Sequence, residues 1–141
     1  MRRVGVIAGM MVAISACAGS GLVVTEARVG EPTGPNAALY FTASGGDDRL
    51  VGATTSVATA VEAHETSMGD DGTMTMRPVA DLAVSVDSDL VLEPGGFHLM
   101  LIDVDRLEVG DTIEVALRWE TAGDMTIEAL VVSPADTAGD R

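Results

Sequence analysis

His64-Glu65-Thr66-Ser67-Met68-Gly69-Asp70-Asp71-Gly72-Thr73-Met74-Thr75-Met76 reads as two arms joined by a turn. Gly69-Asp70-Asp71-Gly72 is a turn signal, because glycine accepts the backbone angles of tight turns and aspartate side chains bond their own backbone. Residues 74–79 beyond it read as a short strand, so the stretch predicts a β-hairpin. With the turn centred on Asp70, antiparallel pairing sets residue i opposite 140 − i and His64 opposite Met76. A turn displaced by one residue makes the two diagonal neighbours, still within reach of long side chains.

Working outward, short β-branched or apolar runs recur between turn signals. Residues 22–29 suit a first strand and 37–43 a second, separated by Gly30-Glu31-Pro32-Thr33-Gly34-Pro35, which can be neither helix nor central strand. Residues 50–63 are rich in Val, Thr and Ala; helix competes for the alanine-containing half, and strand is preferred for want of a cap. Residues 74–79, 82–86, 90–92, 97–104, 112–119 and 125–132 complete the set. Strands at this spacing predict an all-β domain, an antiparallel Greek-key sandwich or barrel, with no internal repeat and no second domain.

The N-terminal segment is of a different kind. Met1-Arg2-Arg3 precedes an apolar run over 4–14 and the small residues Ser15-Ala16-Cys17, the pattern of a secretory signal. The run is shorter than the roughly 20 apolar residues a transmembrane helix needs. Cys17 is the sole cysteine, so no disulfide scaffold can form. Ile14-Ser15-Ala16-Cys17 resembles the bacterial lipoprotein processing box, which implies acylation at Cys17 and a mature chain beginning there. The alternative is an ordinary signal that happens to contain a cysteine; both place the domain outside the cytoplasm. The expected organisation is a signal over 1–17, a tether and strand start over 18–28, the β-domain over 29–133 and a frayed polar tail over 134–141.

Loss of Arg2 and Arg3 with the leader leaves six arginines, no lysine and 22 acidic residues, a net charge of −16. That surface disfavours nucleic acid and anionic membranes and favours cations and basic proteins, although acidity also simply keeps a secreted domain soluble.

The chain has two histidines, His64 and His98, and four of its eight methionines lie between 64 and 100. His98 and Met100 are one residue apart and project from one face of a strand, leaving Phe97, Leu99 and Leu101 for the core face. His98 and Met100 are then exposed or directed into a shared rim. A methionine alone is ordinarily core filler and a lone histidine a surface group. Here each histidine comes with a methionine at a converging spacing. Two thioethers and two imidazoles suit Cu(I), whereas Zn²⁺ prefers thiolate, imidazole or carboxylate and Ca²⁺ prefers hard oxygens. No thiolate is present for blue-copper electron transfer.

The pattern resembles the PCuA(C) family of periplasmic Cu(I) chaperones, whose motif is His, usually Met, ten residues, Met, twenty-one residues, His, any residue, Met. His64-Glu65, residues 66–75, Met76, residues 77–97 and His98-Leu99-Met100 match that spacing in full. Leu50-Val51-Gly52-Ala53, Met76-Arg77-Pro78-Val79 and Pro94-Gly95-Gly96-Phe97 are also similar to the family, over about residues 29–132. The resemblance implies a cupredoxin-like β-sandwich with His64, Met76, His98 and Met100 as metal ligands. It further implies Cu(I) as cargo and delivery to a copper-accepting protein, such as the dinuclear copper centre of a cytochrome c oxidase subunit or another copper carrier. Glu65 departs from the family's frequent methionine, which removes an auxiliary sulfur; Met68 and Met74 are possible substitutes, with turn or packing roles as the alternative.

The expected function is therefore an extracytoplasmic copper chaperone, a periplasmic or outer-face cell-membrane lipoprotein serving cytochrome c oxidase assembly. Copper sequestration without delivery, or a structural β-sandwich lipoprotein, are the alternatives. An enzyme is not expected: both histidines are claimed by the site, and the domain has neither a cysteine nucleophile nor a spaced acid/base carboxylate pair.

Overall fold

The computed structural model describes residues 21–32, 34–134 and 137. Cys17, the signal and most of the tail therefore lie outside the described residues. Ten strands form: β1 Val23–Gly30, β2 Ala37–Ser44, β3 Asp48–Thr54, β4 Ala60–Met68, β5 Met74–Pro78, β6 Leu82–Val84, β7 Leu90–Val91, β8 Phe97–Ile102, β9 Thr112–Trp119 and β10 Gly123–Val132. The stretch 50–63 divides into the end of β3 and the start of β4, with no helix in its alanine-containing half. Among the described residues no helix is long and apolar enough to cross a membrane.

The strands make one sheet in the order β5-β4-β8-β2-β1-β10-β9-β3-β6, with β7 added to β2. All pairings are antiparallel except β1 with β10, a single parallel seam in the expected antiparallel sheet. The sheet curls until β3 faces β4 across a cleft of about 360 Å³ lined by residues including Leu50, Val51, Val61, Pro78 and Leu99.

Alternation decides which face is core. In β2, Ala37, Leu39, Phe41 and Ala43 are buried while the residues between them are half-buried. Ile113, Val115, Leu117 and Trp119 of β9 meet them from across the core, with Leu99 and Leu101 of β8. Each large side chain so buried contributes roughly 1.5–3 kcal/mol, so this interior, not the site, fixes the register. Phe97 packs half-buried against it, as the alternation of β8 requires.

A one-residue bulge between Thr25 and Arg28 shifts the register of β1 against β2, and Glu26 within it has φ 60°. Beyond the bulge, Val29 stands opposite Leu39 in the core and Arg28 opposite Tyr40 on the other face. Re-aiming of a side chain is a common use of a bulge. Arg28 is 8% exposed; its Nε donates to the Thr137 carbonyl at 2.7 Å and a terminal nitrogen donates to the Glu26 carbonyl at 2.7 Å. Thr137 is itself buried, so at this residue the tail is docked, contrary to the expected fraying.

Candidate metal site

The β4–β5 hairpin forms with its turn centred one residue later than Asp70. His64 stands opposite Pro78, and Met76 opposite Thr66. His64 and Met76 are thus diagonal neighbours on one face, the displaced of the two arrangements expected from the sequence. The Gly69 amide donates to the Thr73 carbonyl at 2.7 Å and Gly72 closes the turn with φ 85°, a backbone angle natural to glycine. Pro78 lacks an amide proton, yet β5 is the sheet edge. The Val79 amide bonds the Ala63 carbonyl one residue on, so the position of Pro78 faces away from β4 and needs no donor.

On the other side β4 pairs with β8, and His64 stands directly opposite His98. Their ring centroids are 5.7 Å apart at 51°. Met100 lies two residues along β8, opposite Glu62, on the same face. The fold therefore gathers His64, Met76, His98 and Met100 on one patch of the outer face. His98 is only 3% exposed, a correction to the exposed or rim position expected for it. Its cover includes Tyr40, which stands beside it with ring centroids 6.2 Å apart and has the Arg28 guanidinium 5.7 Å from its own ring.

Each ring presents one nitrogen that no protein group occupies among the described residues. His64 Nε2 is 3.0 Å from Glu62 Oε1, which holds the proton on Nε2 and leaves the Nδ1 lone pair free. Nδ1 is buried with no hydrogen-bond partner among the described residues, and so is His98 Nε2. Burial, the neighbouring His64 and, in opposition, a hydrogen bond to the Gly96 backbone together hold the His98 pKa below its ordinary value. His98 is therefore neutral at pH 7, as a ligand must be. Buried nitrogens without partners, one on each of these neighbouring rings, ordinarily cost about 1–3 kcal/mol each; a bound metal ion would offset that cost. No cluster of three or more His, Cys, Asp or Glu side chains suited to a metal occurs among the described residues, so the available soft donors are these imidazoles and thioethers.

Glu65 turns to the opposite face, where its carboxylate accepts from Arg77 at 3.1 Å. Its difference from methionine thus falls away from the His/Met patch. Met68 and Met74 stand directly opposite each other near the hairpin tip and are 67% and 55% exposed, so neither is part of the buried core. Met76 is 50% exposed. Glu62, Tyr40 and Arg28 are surrounding residues that sequence reasoning missed. Glu62 was accessible through the two-residue period of β4, whereas the others depend on strand order and a bulge.

The chain is an all-β sheet carrying a solvent-edged His/Met patch, and solved structures share this fold. The copper-bound PCuAC domain from PmoF2 superposes with a TM-score of 0.69 at 24% identity, covering 85% of this chain and 97% of that one; at this identity the likeness is one of fold. Apo-DR1885 from Deinococcus radiodurans matches at TM-score 0.62 and 28% identity over 90% of this chain and 89% of its own. Its Cu(I) form matches at 0.60 and 26% over 84% and 81%. The family model "Putative lipoprotein LpqE-like" matches residues 22–131, and the chain belongs to this LpqE-like lipoprotein family. The "Putative lipoprotein Lxx21020" of Leifsonia xyli subsp. xyli is 39% identical over 72 residues, half of this chain; that stretch is 43% of the relative's length.

Proposed function

We propose that this chain is an extracytoplasmic Cu(I) chaperone of the PCuA(C) type. It holds one ion through His64 Nδ1, His98 Nε2 and the sulfurs of Met76 and Met100, and passes it to a copper-accepting protein. The observation that carries the proposal is the pair of buried, unpartnered imidazole nitrogens on facing residues of β4 and β8, flanked by methionines on the same face. The Cu(I)-loaded relative of the same fold and the membership of a lipoprotein family support it.

The donor set explains carriage. Neutral imidazole and thioether ligands bind soft Cu(I) without losing protons, and methionine stays usable where a cysteine would oxidise. His98 is the buried anchor and Met76 the exposed edge, so an acceptor can replace ligands from the Met76 side one at a time. Acylation of Cys17 would tether the domain to a membrane, each buried acyl methylene contributing about 0.8 kcal/mol. The acceptor is a copper protein on the same side of the membrane, with the dinuclear centre of cytochrome c oxidase as the candidate. The chain acts as a carrier rather than a catalyst.

Cu(I) competition titrations of His98→Ala and Met100→Ala test the ligand set: both should bind far more weakly while the fold persists, and unchanged affinity in both would remove the assignment. Mixing the loaded protein with an apo oxidase copper domain tests delivery. Transfer is expected, and full retention of copper would identify sequestration instead.

A further inference from the structure

The hairpin carries more sulfur than a four-ligand site uses. Met68, Met74 and Met76 occupy one face of β4–β5: Met68 faces Met74 directly, and Met76 follows two residues along the same strand. The Gly69–Thr73 hydrogen bond makes Met68–Met74 a non-hydrogen-bonded pair, the arrangement in which facing side chains approach most closely. All three are at least half exposed, an unusual use of a large apolar side chain on a hairpin standing at the sheet edge. The adjoining turn adds the exposed carboxylates of Asp70 and Asp71, while Arg77 is drawn to Glu65 on the opposite face. The local field therefore favours a cation. His64 belongs to the same face and leads directly to His98.

We propose that Met68, Met74 and Met76 form a thioether-only entry station for Cu(I), distinct from the His64/Met76/His98/Met100 site, with Met76 shared by both. The inference rests on the copper-carrier function proposed above. In the transfer step the Met76 sulfur keeps its bond to copper. The bonds to Met68 and Met74 sulfurs break, and bonds to His64 Nδ1, His98 Nε2 and the Met100 sulfur form. Copper stays Cu(I), and neither a proton nor an electron moves. An exposed trio of neutral sulfurs captures a soft ion quickly and holds it weakly, and the more buried His64 and His98 then draw it inward.

The test uses Cu(I) supplied from a weak chelator and two sets of variants. Met68→Leu/Met74→Leu alters only exposed positions and should fold normally. It is expected to lose the fast phase of copper loading while the loaded protein keeps a two-nitrogen, two-sulfur shell by X-ray absorption. His64→Asn/His98→Asn is expected to retain weak Cu(I) in a sulfur-only shell, and that signal should vanish on adding the two leucines. Loading by Met68→Leu/Met74→Leu at the wild-type rate would overturn the station, as would a sulfur-only signal that survives the leucines. Failure of the wild-type protein to bind Cu(I) at all would instead overturn the underlying function.

Discussion

Glu62 is the residue whose removal tests how the site is prepared. Its carboxylate lies 3.0 Å from His64 Nε2 and fixes the proton there, so Glu62→Leu frees the ring to rotate or to move its proton to the nitrogen that should bind copper. Loss of such a partner from a ligating histidine typically lowers metal affinity 10- to 100-fold. The Glu62 side chain is 55% exposed, so water replaces part of the interaction, and the expected loss is at the low end, about 10-fold or roughly 1.4 kcal/mol. Glu62→Gln keeps an acceptor oxygen but loses the charge. Because charge-assisted hydrogen bonds are about twice as strong as neutral ones, its loss should be near half, about 0.7 kcal/mol or 3-fold. Cu(I) competition against a chromophoric chelator at pH 7 reads both. An affinity for Glu62→Leu within twofold of wild type would refute the orienting role. Equal losses in the two variants would assign the effect to charge rather than to the hydrogen bond.

Four further outcomes follow from the structure. Because the folded-state pKa of His98 is depressed, the unfolded chain takes up that proton first as pH falls. The His98 contribution is therefore fully present above about pH 6.5 and is lost as pH drops from there through the lower folded value; denaturant midpoints of the apo protein should fall more steeply below pH 6.5 for wild type than for His98→Ala, and parallel curves would contradict this. Glu65→Met places its new sulfur on the face opposite His64, so Cu(I) affinity should stay within twofold and stability should fall by less than about 1 kcal/mol, the usual worth of an exposed ion pair such as Glu65–Arg77; tighter binding or an added sulfur scatterer would contradict the placement. Gly45 has φ 90°, and an added Cβ would lie 2.5 Å from the Gly21 carbonyl oxygen, so Gly45→Ala should cost on the order of 1–3 kcal/mol. Gly34, with open space around it, should accept alanine with little change in thermal midpoint.

Much of the candidate site's geometry was legible because β-structure has a two-residue period and the chain has only two histidines. His98 and Met100 had to share a face, and the Gly69–Gly72 turn had to bring residues near 64 and 76 together. The centre of that turn was ambiguous by one residue: two aspartates sit between two glycines, and the hydrogen bond between Gly69 and Thr73 settles the choice. The burial of His98 was not legible, because its cover includes Tyr40 from β2, a strand brought alongside β8 only by the non-sequential order of the sheet. Arg28 depends on a bulge that no local residue announces. The parallel seam between β1 and β10 joins distant parts of the chain and likewise has no local signal. Glu65 shows the converse case: the spacing is legible, but only the pairing with Arg77 reveals that this position faces away from the ligand patch.

The proposed ligand set places copper between two imidazoles and two thioethers. X-ray absorption at the copper edge of the Cu(I)-loaded domain, recorded with His98→Ala and Met100→Ala alongside, tests it most directly. Two nitrogen and two sulfur scatterers are expected in the wild type, with one nitrogen lost in the first variant and one sulfur in the second. A shell of nitrogen and oxygen alone would contradict it.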